Sequence, residues 1–257
     1  MANVALDGLE DALNIKYKQK KTHGKYYYNN ISKYVVIKYA DEFVILCKTL
    51  EDAEDIYGLL DDYLEDRGLT LAPDKTRITH IKDGFDFLGY NIRCYEGQDR
   101  DKVLVKASKD SIKSFKNKAK YIISRCYPWN LEESIIKLNY LINGTGNYWR
   151  IGSNNKIFNK MDNYIYELWM RQIKRWYPNK SVKWRVKKKH FKESLDPNHN
   201  DKWTFTDPKT DSQVDKMSWI NIKYSRCIKY KATPYDVEYD EYMEKHKSKT
   251  PFQCLYG

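Results

Sequence analysis

The five cysteines, Cys47, Cys94, Cys126, Cys227 and Cys254, include no C-x-x-C pair, which argues against a zinc site and against a disulfide framework. No run approaches the roughly 20 apolar residues that span a bilayer. Residues 1–30 hold no apolar stretch long enough for a signal peptide, so the chain is expected in a reducing cytoplasm, away from membranes. Hydrophobic residues make up only 41% of the 257, which is low for a globular protein. Seven Trp and 23 Tyr offset that shortage, because aromatics bury large areas while their polar tips stay wet. Ordered, soluble structure in one or two domains follows.

Positive charge is scarce everywhere except in one stretch. Residues 1–100 hold 14 Lys/Arg against 18 Asp/Glu, giving −4; residues 191–257 hold 11 of each, giving zero. Residues 101–190 hold 21 against 6, giving +15, so all the excess behind the net +11 sits there. A cationic surface of that density concentrates polyanions and releases their counterions on binding, which points to nucleic acid. The alternative is a Lys-rich surface that serves solubility alone.

The patterning is that of an α+β chain. Residues 2–13 read as a short amphipathic helix and Lys16 to Asn30 as a polar, Tyr-rich linker with a turn at His23-Gly24. Tyr34-Val35-Val36-Ile37-Lys38 and Phe43-Val44-Ile45-Leu46-Cys47 flank Tyr39-Ala40-Asp41-Glu42, the pattern of a β-hairpin with Ala40 and Asp41 near its tip. Thr49 caps a helix that runs to about Arg67 and stops at Gly68. Thr76 to Ile81 alternates like a strand, Phe85 to Ile92 reads as a further hairpin, and Val103 to Val105 as a short strand.

From Ser108 the chain turns helical and basic. Ile112, Phe115, Ala119, Ile122 and Ile123 form one helix face, with Lys109, Lys113, Lys116 and Lys120 about 100° around it. Asn130-x-x-Glu133 is a capping-box signature opening a second helix, read as ending at Asn143-Gly144. A third runs from about Lys156 to Tyr177 before Pro178, and three such helices make a compact bundle. Lys180 to Lys189 fits either a strand or a basic helix. The tail from Glu193 reads as an ordered but irregular extension. Expected boundaries are therefore 1–106, 107–190 and 191–257.

An acidic pair at a hairpin tip has two readings. It is a solvated turn, or it aims carboxylate oxygens at Mg²⁺, a hard cation that takes oxygen ligands. The surroundings bear on the choice. Tyr39-Ala40-Asp41-Glu42 resembles the Tyr-Ala-Asp-Asp signature of reverse transcriptases, and Gly68-Leu69-Thr70-Leu71-Ala72-Pro73-Asp74-Lys75-Thr76 resembles the palm motif that follows it. Gly84-Phe85-Asp86-Phe87-Leu88-Gly89-Tyr90 resembles the primer grip. Ile135 to Arg150, then Leu168-Trp169 through Trp184-x-x-Lys187-Lys188-Lys189, resemble the thumb, or domain X, of group II intron maturases. Ile222 to Tyr239, with Ala232-Thr233-Pro234-Tyr235-Asp236, looks like the segment by which that family leaves the thumb.

The resemblance implies the back half of a reverse-transcriptase palm followed by the maturase thumb. Asp41 and Glu42 would be the catalytic and metal-binding pair of a two-ion Mg²⁺ centre, and Lys75 would approach nucleotide phosphates. In that family the stretch like Ala2 to Leu13 follows the fingers and another metal-binding Asp, so the chain is expected to lack both and to be inactive as a polymerase alone. Glu42 stands where the family has Asp, and its extra methylene moves the carboxylate by about 1 Å, a shift that can cost about 10²-fold in rate. Many members of that family continue into a Cys-paired zinc nuclease domain, which is expected to be absent after Cys254 to Gly257.

The RNA-binding set implied in the thumb is Lys109, Lys113, Lys116, Lys120, Arg150, Arg171, Lys174, Arg175, Arg185, Lys187, Lys188 and Lys189, with Arg pairing phosphates bidentately. Tyr148 and Trp149 are read either as base-stacking or as core, whereas Trp169 and Trp176 share the apolar face. The expected partner is group II intron RNA, with help to splicing. The alternatives are the C-terminal subunit of a split RNA-directed DNA polymerase, completed by a separate N-terminal fragment, and a non-functional remnant of a mobile element.

Overall fold

The computed structural model describes residues 6–22, 25–98, 100–185 and 190–223, together with Glu241 and Glu244. The fold is α+β, with small antiparallel sheets ahead of a helical region. Two compact units divide the chain, one running to His80 and the other starting at Ile81, ahead of the boundary expected at 107.

The first unit contains α1 (Leu9–Ala12), β1 (Tyr17–Thr22), β2 (Lys25–Asn30), β3 (Val35–Tyr39), β4 (Glu42–Leu46) and α2 (Leu50–Glu65). The Thr49 side chain accepts from the Asp52 N–H at 3.1 Å and so caps α2. Gly68, with φ +66, ends that helical run in the left-handed region that glycine adopts without a Cβ clash. Ile56, Leu60 and Leu64 of α2 close a core with Leu9, Leu13, Ile15 and Tyr34, against which Val36, Phe43 and Ile45 pack. The expected polar linker at Lys16 to Asn30 is instead the β1–β2 hairpin, paired from Tyr17↔Asn30 to Thr22↔Lys25. Its strands carry too few aliphatic residues for a period-two pattern to show. The strand expected at Thr76 to Ile81 does not form. A single main-chain bond, from Cys94 N to Ile81 O at 2.9 Å, is too little to make a ladder.

In the second unit β5 (Phe85–Phe87), β6 (Tyr90–Tyr95) and β7 (Lys102–Ala107) form one antiparallel sheet in sequence order. Helices α3 (Lys109–Ser124), α4 (Leu131–Trp149) and α5 (Asn155–Trp176) follow, and α6 (Val182–Arg185) is a single turn after Pro178. The α3 apolar face is the expected one, with Phe115, Ala119 and Ile123 buried and Ile112 and Ile122 packed on the core. Helix α4 does not stop at Asn143-Gly144 but continues for more than a turn, to Trp149.

Long-range packing explains the continuation. A Cβ on Gly146 would sit 2.2 Å from Ile220 Cδ1 and 3.3 Å from Met217 Cγ, so the bare glycine lets a short 3-10 turn (Met217–Trp219) dock on α4. Asn139 and Asn143 of α4 bond to Gln213, Asp215 and the Asp215 carboxylate, while Asp162 of α5 accepts from the N–H groups of Met217 and Ser218 at 2.7 and 3.0 Å. Residues 191–223, expected as part of an irregular extension, therefore complete the bundle core: Phe191, Phe205, Val214 and Met217 are buried in it. Two of these lie in β8 (Phe191–Lys192) and β9 (Thr204–Phe205).

Candidate nucleic-acid interface

In the first unit β3 and β4 pair from Val35↔Leu46 to Tyr39↔Glu42, leaving Ala40 and Asp41 as a two-residue turn. Ala40 takes φ +53, the positive value such tight hairpin turns demand. Asp41 is exposed in the turn, and Glu42, also exposed, opens β4 on the face it shares with Val35, Ile37 and Tyr39. Lys75 is exposed in the turn after Pro73, its N–H held by Ala72 O at 3.0 Å. Two carboxylates are fewer than the oxygen ligands a divalent cation takes. Among the described residues no group of three or more His, Cys, Asp or Glu forms to make up the number. The pair fits a metal only within a larger set of ligands, and no chemical step follows from it alone.

The hairpin that opens the second unit is held differently. Leu88 (φ +47) and Gly89 (φ +71) form its turn between Phe87 and Tyr90. A leucine in that region costs roughly 1–2 kcal/mol. Contacts that offset the cost converge there: Tyr148 Oη donates to Leu88 O at 2.7 Å, while Ser108 N and Ser111 Oγ both donate to Gly89 O at 2.9 Å. Tyr90 Oη donates to Tyr148 O, the two rings lie 5.2 Å apart, and partial burial raises the Tyr90 pKa. Tyr148, 46% exposed, is thus a clamp on this turn.

The basic residues around α3 fall largely where the periodicity put them. Lys109, Lys113 and Lys120 are exposed, while Lys116 is half-buried with its ammonium 5.0 Å from the Tyr164 ring centre. Ser108 caps the helix by accepting from Ser111 N at 3.1 Å. On α5, Arg171, Lys174 and Arg175 are exposed; Arg171 reaches Glu167 at 3.1 Å and Arg175 reaches Gln172 at 3.4 Å. Arg150 is half-buried. Lys187, Lys188 and Lys189 lie outside the described residues.

Two of the expected RNA contacts are corrected. Trp149 is 2% exposed, set against Phe115 with ring centres 5.8 Å apart, and no base can reach it. Arg185 is buried with Nε and Nη2 both donating to Lys180 O at 2.8 and 2.6 Å, so its guanidinium closes a turn. Trp169 is core, as its apolar-face position implied, stacked 3.8 Å from Phe205.

Exposed aromatics also occur outside the expected set. Arg125 lies 3.6 Å over the ring of Tyr121 at the end of α3, and Tyr127 stacks on Trp129 at 4.6 Å and 5°. Two aromatics flanking a proline between helices were the available signal. Asn130, expected as a capping residue, makes no cap bond to α4. Its Oδ1 accepts from Tyr127 N at 2.7 Å instead.

Comparison with known families gives two matches. Residues 3–92 match the reverse transcriptase (RNA-dependent DNA polymerase) family, and residues 112–191 match the maturase-specific domain of group II introns. No curated protein matches the chain. No helix among the described residues is long and apolar enough to cross a membrane.

Proposed function

We propose that the chain, which matches the reverse transcriptase family over residues 3–92 and the maturase-specific domain of group II introns over residues 112–191, is a group II intron reverse transcriptase/maturase that binds group II intron RNA through its helical second unit and assists splicing. The observation that carries this reading is the +15 of residues 101–190, part of which α3 presents on Lys109, Lys113 and Lys120, exposed side chains that stand clear of the core. Phosphates would follow Lys109, Lys113 and Lys120, with Arg171, Lys174 and Arg175 extending the track on α5. Lys116 contributes less, since its ammonium is already turned to Tyr164.

The first unit plays a smaller part. Asp41 and Glu42 are a partial ligand set, so the chain by itself is read as an RNA-binding protein and not as a polymerase. A complementary fragment carrying further metal ligands would make the alternative, a split RNA-directed DNA polymerase. The β3–β4 tip is the observation that favours that second reading, and template-dependent dNTP incorporation above an Asp41→Ala control would support it.

The test of the main proposal is equilibrium binding to a transcribed group II intron, in competition with an unrelated structured RNA. Preference for the intron beyond that of an equally basic unrelated protein supports the reading. Equal binding by the two proteins returns the basic stretch to a solubility surface.

A further inference from the structure

Trp129 is 78% exposed and Tyr127 45%, an unusual place for two large rings stacked face to face. The loop that carries them is not loose. Cys126, directly before Tyr127, is fully buried, and its carbonyl accepts from the buried amide of Gln172 at 2.7 Å. Asn130 closes the other side: its Oδ1 takes the Tyr127 N–H at 2.7 Å, its Nδ2 reaches Arg125 O at 3.4 Å, and its own N–H bonds Tyr127 O at 3.1 Å. Five residues are thereby fixed by core anchoring and one asparagine, with Pro128 between the two rings. The amide that could have capped α4 is used to hold the stack outward.

The neighbouring charge identifies what such a platform would take. Immediately before it in the chain, α3 presents Lys113 and Lys120, and Arg125 lies on the exposed Tyr121 ring. On the far side Glu133 is paired with Lys137 at 2.6 Å, and Glu132 meets the Ser212 hydroxyl at 3.4 Å. A polyanion that also carries planar, π-faced groups matches both halves. Base–aromatic stacking needs no particular sequence, and guanidinium groups add to it.

We propose that the Tyr127–Trp129 stack is a platform for unpaired RNA bases, following in the chain the exposed Lys120 of α3 and Arg125 at that helix's C-terminal end. It rests on the RNA-binding reading above and adds to it the substrate class: a single-stranded segment beside structured RNA, not duplex alone. The platform is preorganised, so a base entering it meets little ordering cost.

The test uses the full 257-residue chain and two probes, a blunt RNA hairpin and the same hairpin with a short oligoadenylate tail containing 2-aminopurine. The tail should tighten binding about five- to one-hundred-fold, the range of one stacked base, and its 2-aminopurine emission should be quenched. Trp129→Ala should remove both effects and leave the blunt hairpin unchanged, whereas Trp129→Phe should keep most of them. Being exposed, Trp129 can be replaced without loss of fold, which circular dichroism checks. Equal affinity for both probes, or equal weakening of both by Trp129→Ala, overturns the platform while leaving RNA binding in place. So does a Trp129→Ala variant that alters only self-association in sedimentation. If neither hairpin binds better than to an equally basic control protein, the RNA reading itself falls and the platform with it.

Discussion

In the first unit two carboxylates stand exposed at a hairpin tip, above a core of nine buried hydrophobic residues among those described. In the second, exposed lysines line a helix over a core of twenty, sealed from outside by residues 190–223. The second arrangement is the more self-sufficient. Its charges need only a polyanion to become useful, whereas Asp41 and Glu42 need further ligands. Its larger core should also hold it longer against denaturant, so hydrogen exchange should reach α2 amides before those of α4 and α5. Exchange in the reverse order would contradict the comparison.

Substitutions within the second unit sharpen the contrast between its core and its surface. Trp149→Ala should cost about 3–5 kcal/mol in urea unfolding, as expected for a buried aromatic. Trp129→Ala should fall within about 0.5 kcal/mol of the parent. Similar losses for both would mean that one of the two placements is mistaken.

Gly146→Val comes next, at about 1–3 kcal/mol. Its side chain would meet Ile220 and Met217, so proteolysis should reach the 213–220 segment before the helices. A variant as stable and as resistant as the parent would show that the segment does not dock there.

Titration provides a finer test. Burial holds the Asp162 carboxyl above its ordinary 3.8, partly countered by the Ser218 and Met217 N–H bonds and by Lys216. With the folded value raised, its contribution to stability is full below 3.8 and is lost as pH rises through the folded value. Asp162→Asn should therefore flatten Tm against pH just above 3.8, and an unchanged profile would refute the assignment. Burial raises the half-buried Cys47 thiol and pushes that of the fully buried Cys126 up to about 11, so at neutral pH iodoacetamide should label Cys126 after both Cys47 and Cys94.

Much of this architecture is legible in the sequence because its causes are local. Thr49 caps the helix that follows it, the helical stretch begins at Ser108 as expected, and Gly68 takes the positive φ its position called for. The Tyr39–Glu42 tip and the α3 lysine stripe fall where strand and helix periodicity place them. The misreadings have distant causes. Asn143-Gly144 looks like a helix stop, yet Met217 and Ile220 pack against the next glycine, Gly146, and the helix runs on. Asn130 carries a capping signature but spends its amide on Tyr127. Trp149 and Tyr148 are neighbours in sequence, yet one is core and the other clamps the Leu88 turn. The helical repeat that buries Ile135 and Ile142 also buries Trp149, but it separates the two only because the helix runs past Gly144.

The central claim is that the second unit, and not the first, grips RNA. It is tested most directly by the salt dependence of binding to a transcribed group II intron. Replacing Lys109, Lys113 and Lys120 by Gln should shallow the slope of log K against log salt by about two to three. Replacing the exposed first-unit residues Lys16, Lys18 and Lys48 by Gln should leave the slope where it was. Equal change in the two triple variants, or none in the first, would contradict the account.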